Sequence, residues 1–220
     1  MEDAKTVRLC ALAGLAFFVL IVVSGPVLQS GSPSLTDSSA KMFHYISTHV
    51  GKLKASGALS GFAMAAVLVW LAAHYSALRK AEGGHAGFAP AALAGGILAA
   101  ASTVVGGAVL AVAALRIHDL GASGARFFWT LQVFMSGGTL AGLAILVGAS
   151  AVVFLNTGIY GRWFTWVSAV IAVVDLVGIL GLAYANGGVQ AIVVIGLSLT
   201  ILWILVVSVM LWRKPELAII

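Results

Sequence analysis

Asp175 lies near the middle of FTWVSAVIAVVDLVGILGLAY, residues 164–184, and is the one formally charged residue deep inside any apolar stretch of the chain. A carboxylate in hydrocarbon costs at least about 2.5 kcal/mol on insertion scales, so an acid there faces neighbouring helices or a water-filled space rather than lipid. Two chemistries follow. The group can bind a proton, cation or polar solute, or it can remain neutral and donate to a hydroxyl or carbonyl. Asp175 is about eleven residues from Phe164, roughly 16 Å into a helix at 1.5 Å per residue. Ser102, Thr103, Thr139, Ser198 and Thr200 fall at similar depth in their own stretches. A polar layer built from Asp175, Ser102, Thr103, Thr139 and Thr200 is the candidate substrate or proton site. No lysine or arginine in a span stands ready to neutralise the acid permanently.

The histidines form a weaker constellation. His44, His49, His118 and Asp119 share one side in the topology derived below and are candidate ligands for a divalent metal, but their spacing matches no zinc motif. Haem needs two facing imidazoles at matched depth, and only His74 lies within a span, beside Tyr75. No cofactor is expected. The chain has no G-x-S-x-G elbow, H-E-x-x-H, P-loop or paired acids. An aspartyl intramembrane protease needs two acids, and a retinal Schiff base needs a lysine in a span. Neither requirement is met. Cys10, the single cysteine, has no partner for an internal disulfide and reads as a buried, inert thiol.

The elements that position these residues are membrane helices. The 220 residues are 61% hydrophobic and 9% charged, with mean hydropathy +1.10, whereas soluble domains carry about 25% charged residues. Apolar runs long enough to span recur along the whole length. Spans are expected at about 9–28, 55–78, 88–115, 127–155, 164–184 and 189–212, giving an all-α polytopic transmembrane bundle of six helices in a single integral membrane domain. Lys5 and Arg8 ahead of the first run resemble a signal peptide, but without a small-x-small site it reads as a retained span. Between the first two spans, Thr36 or Asp37 can cap a short helix with apolar positions Met42, Phe43, Ile46, Val50 and Leu53, which reads as an interfacial helix in the first outer loop.

Seven of the twelve Lys and Arg fall on the side of the termini and five on the other, so both termini are expected in the cytoplasm at the plasma (inner) membrane. The net charge of +5 then belongs to basic ends against lipid headgroups, and no nucleic-acid partner is expected. Small residues recur every fourth position: Gly95, Ala99, Thr103, Gly107 and Ala111; Gly57, Gly61 and Ala65; Gly138 and Gly142; Gly196 and Thr200. Such ridges bring backbones together within the bundle, or against a second copy or a partner membrane protein.

The segments SSAKMFHYISTHVGKLKASGALSG and VVFLNTGIYGRWFTWVSAVIA resemble a domain-of-unknown-function family of small six-span bacterial membrane proteins. In that family a short helix with a histidine precedes the second span and a basic-aromatic turn precedes the fifth. His49, Arg162 and Trp163 fit the pattern. The resemblance implies a layout and no established activity. The expected function is a non-enzymatic accessory, assembly or lipid-interacting module. The alternative is a proton-coupled carrier of a small solute with Asp175 as its proton site.

Overall fold

The computed structural model describes residues 2–84, 87–184 and 187–219, and gives no account of the side chains of Glu2, Gly181, Ala183, Tyr184 and residues 187–190. His85, the 185–186 part of the last turn and the Tyr184 ring therefore lie outside the described residues. All regular structure within them is helical: α1 (Glu2–Val22), α2 (Ser39–Thr48), α3 (Val50–Ala81), α4 (Ala89–Leu115), α5 (Ile117–Thr157), α6 (Arg162–Tyr184) and α7 (Gly187–Arg213). Six of these are long and apolar enough to cross a membrane. Each long helix packs on the next, and α1 packs on α7, so the six close into a ring. The outside of the ring is apolar at mid-helix, with Val69, Val105, Val173, Leu176 and Ile195 about half exposed.

The short helix differs from expectation. Ser38, not Thr36 or Asp37, supplies the cap, its hydroxyl accepting from the Lys41 N–H at 3.3 Å. Asp37 accepts instead from the Ser34 N–H at 2.8 Å and from Lys41 Nζ at 2.9 Å, and these bonds hold its carboxyl below the usual carboxylate range. The chain breaks at His49, so Val50 and Leu53 belong to α3, which begins before the expected start at 55. The α2 face expected to rest on lipid is covered by protein: Met42 and Ile46 are fully buried against Leu53, Leu110, Ala125 and Trp129. Residues 117–126, expected as a loop before a span starting at 127, are instead the first turns of α5, bent at Gly121 (φ 62°). Past that break the helix runs on to Thr157, roughly 50 Å and longer than a hydrocarbon core, and the residues on both sides of the break are what α2 packs on.

Pro26 shapes the end of α1. Lacking an N–H, it cannot continue the α-helical ladder. Residues Val23–Val27 widen into a π-turn in which the Leu28 N–H reaches Val23 O at 3.1 Å. That shift leaves Ser24 O free, and Ser56 Oγ of α3 donates to it at 2.7 Å. Gln29 Nε2 in turn donates to Ser56 Oγ at 2.8 Å. One proline thus creates the polar tie between α1 and α3.

Most of the ridge glycines are used within the chain. A Cβ on Gly95 would lie 2.6 Å from Gly142 O and from the Leu146 nitrogen, and one on Gly142 would collide with the Ala99 backbone. Gly57 faces Gly107 across α3 and α4. The α4–α5 obstruction is backbone against backbone, so no side chain can yield. We predict that Gly142→Ala lowers the melting temperature of the detergent-solubilised protein by about 5 °C or more. Gly61, with nothing within 4 Å of its added Cβ, should tolerate alanine without loss in the same melt.

Candidate functional site

Asp175 is fully buried, on the α6 face that also buries Ser168, Ala172 and Gly178. Thr200 Oγ1 of α7 donates to Asp175 Oδ2 at 2.7 Å. Asp175 Oδ1 has no partner among the described residues and points at Gly196, where an added Cβ would stand 2.6 Å from it. Glycine is required there because the acid occupies the space a side chain would need. The carboxyl keeps capacity for one more hydrogen bond or proton, in a seam closed by two helices.

The other members of the expected layer stand elsewhere. Ser102, Thr103 and Thr139 line a cavity of about 500 Å³ inside the ring, walled by α1, α3, α4, α5 and α7; Asp175 and Thr200 do not line it. The division follows from helical periodicity. On α7, Val194, Leu197, Ser198 and Ile201 face the cavity, while Gly196 and Thr200 face α6. The thickness of one helix, roughly 10 Å, therefore separates the acid from the cavity. Thr103 Oγ1 donates to Ala99 O at 2.9 Å and lies 3.1 Å from Thr139 Oγ1. With the Thr103 proton used, Thr139 is the donor of that pair, and both oxygens retain acceptor capacity.

None of the cavity-lining residues is charged. Its polar members are hydroxyls and two amides, Gln29 and Gln132. Its floor is Leu71, Leu146 and Ile204. At the end of the bundle that carries α2, its rim holds the Ser24, Gln29 and Ser56 ties together with Ser60.

Towards the end that carries the chain termini, the ring is filled instead. His74 is fully buried, stacked on Trp70 at 4.9 Å between centroids, with the edges of Trp203 and Phe154 against it. Ser150 Oγ donates to Leu146 O at 2.8 Å, so it can only accept from His74, 2.9 Å away. The proton of the neutral imidazole therefore sits on Nε2. Trp203 Nε1 donates to Ser168 Oγ at 2.8 Å on the same level. Sequence reading placed His74 near a span end and missed this plug. The signal was partial: Trp70 and His74 are four residues apart on one face and Trp203 lies at about the depth of Trp70 in its own span, but Phe154 and Phe164 fall at the ends of theirs.

The four metal candidates are not brought together. His44, His118 and Asp119 are exposed, and Asp119 pairs with Arg116 at 3.3 Å. His49 Nδ1 lies 3.0 Å from Tyr45 O and 2.9 Å from Thr48 Oγ1, at the break between α2 and α3. Among the described residues no group of three or more His, Cys, Asp or Glu is placed to hold a metal ion.

The plug yields a test of packing against polarity. His74→Phe keeps a ring and loses one hydrogen bond, at a cost of about 1 kcal/mol. His74→Ala opens a hole beneath the cavity and should cost about 3 kcal/mol or more. Thermal or denaturant unfolding of the two variants checks the order, and equal losses would show that the bond, not the packing, dominates.

Comparison of the chain with protein-family models, with curated proteins and with solved structures gives no match.

Proposed function

We propose that the chain is a multi-pass integral protein of the plasma (inner) membrane, with both termini in the cytoplasm, that acts as a non-enzymatic module: an accessory, assembly or lipid-interacting protein. The observation that carries this reading is the uncharged interior. A cavity walled by hydroxyls, amides and aliphatic groups can bind, but it holds no group that takes up and returns a proton near neutral pH. The apolar outer surface of the ring supports membrane insertion, since exposed apolar area on this scale requires lipid or protein against it. Distribution of Lys and Arg supports the orientation.

A second reading, the proton-coupled carrier, is favoured by one observation. Asp175 Oδ1 is buried and has no partner among the described residues, and it fits only because Gly196 carries no side chain. For that reading α7 must turn or shift to bring the acid to the cavity. One experiment separates the two. The protein is reconstituted into vesicles containing a pH-sensitive dye and challenged with a panel of small solutes. The module reading predicts no proton movement beyond that of empty vesicles, for the parent and for Asp175→Asn alike. Solute-driven acidification that Asp175→Asn abolishes would overturn it in favour of the carrier.

A further inference from the structure

The cavity is more specific than a gap between helices. Ser102 of α4, Gln132 and Ser136 of α5, and Ser198 of α7 all line it, and none of the four side chains hydrogen-bonds another described residue. They come from three helices and face one space. By contrast, the polar groups at its rim satisfy one another: Ser56 and Gln29 are bonded to each other, and Ser60 Oγ donates to Ser24 Oγ at 3.2 Å. The four side chains are thus left with unused donors and acceptors, while the Thr103–Thr139 pair beside them offers acceptors only. Below them the floor is purely aliphatic.

We propose that this cavity binds one uncharged, single-chain amphiphile whose hydroxyl-bearing head pairs with Ser102, Gln132, Ser136 and Ser198 and whose chain lies over Leu71, Leu146 and Ile204. The inference rests on the reading of the chain as a membrane-embedded binding module and adds the class of ligand. Charge decides the head group. An anionic or cationic head in this space meets no counter-ion, and an unpaired charge away from water is strongly penalised. A hydroxyl head both donates to the threonine oxygens and pairs with the free serine and amide groups. The volume, about 500 Å³, is that of a site for one small molecule and suits a single chain.

The test uses the full chain in phosphatidylcholine nanodiscs and a monoacylglycerol carrying a photoreactive diazirine in its chain. Adducts should map to the cavity floor, at and beside Leu71 of α3, Leu146 of α5 and Ile204 of α7. Excess monooleoylglycerol should suppress them, whereas oleate and oleylamine, with the same chain and a charged head, should not. Ser198→Leu and Gln132→Leu should each weaken labelling by about tenfold, with the melting temperature recorded for both so that loss of fold is recognised. Because Ser198 is exposed, its leucine variant is the safer of the two for folding. Equal competition by oleate or oleylamine overturns the class of ligand. Adducts confined to the lipid-facing surface and insensitive to both substitutions overturn the site. Should binding fail while the vesicle assay shows no Asp175-dependent flux, only this inference falls; should that flux appear, the module reading itself has failed.

Discussion

Gly95 and Gly142 let the backbones of α4 and α5 touch, and the interior is arranged around that contact. Where lipid surrounds a bundle there is no hydrophobic gain in bringing two helices together, so close van der Waals contact and interhelical hydrogen bonds must hold them. The glycine pair supplies the first and Thr103–Thr139, two helical turns and less away, supplies the second. With α4 and α5 locked in register, Ser102, Ser136 and Thr139 are turned to the interior and the aliphatic positions Ile97 and Ile145 to the outside. The cavity wall is a by-product of the seam.

The two ends of the ring solve the same problem differently. Towards the termini, bulky rings fill the centre, and His74 and Trp203 are tolerated because Ser150 and Ser168 pass their hydrogen bonds on to the helix backbone. Towards α2, small residues line the centre and leave it open, and the π-turn at Pro26 trades one backbone bond for a tie to α3. The aromatic plug is therefore both the floor support of the cavity and the barrier to a continuous path through the ring. The acid sits outside this axis altogether, pinned by Thr200 between α6 and α7.

How much of this was legible in the sequence depends on which physical rule sets each feature. The six long apolar helices were legible because hydropathy alone marks them, and so was the closeness of α4 to its neighbours, since a run of Gly and Ala every four residues has few other uses. The extent of α5 was not. Gly121, Ser123 and Gly124 read as loop residues, and Gly121 does break the helix, yet burial of Ile117, Ala125 and Trp129 against α2 keeps the residues on both sides of it helical. Depth along a helix could be counted, which put Asp175, Thr103, Thr139 and Thr200 at one level. Direction around the helix relative to distant neighbours could not, because it depends on the order in which six helices close the ring. That is why one expected polar layer resolves into a buried pair and a cavity. The His74 plug was missed for a related reason: its partners come from four helices and become visible only once the ring is closed.

The separation of acid and cavity by α7 is tested most directly by thiol labelling. In a Cys10→Ala background, single cysteines replace Ser198, Ser136 and Thr200 in turn, and the protein in nanodiscs is exposed to a small water-soluble maleimide. The geometry predicts that Ser198→Cys and Ser136→Cys react while Thr200→Cys stays protected until the protein is denatured. Rapid labelling of Thr200→Cys in the folded protein, with Ser136→Cys protected, would contradict it.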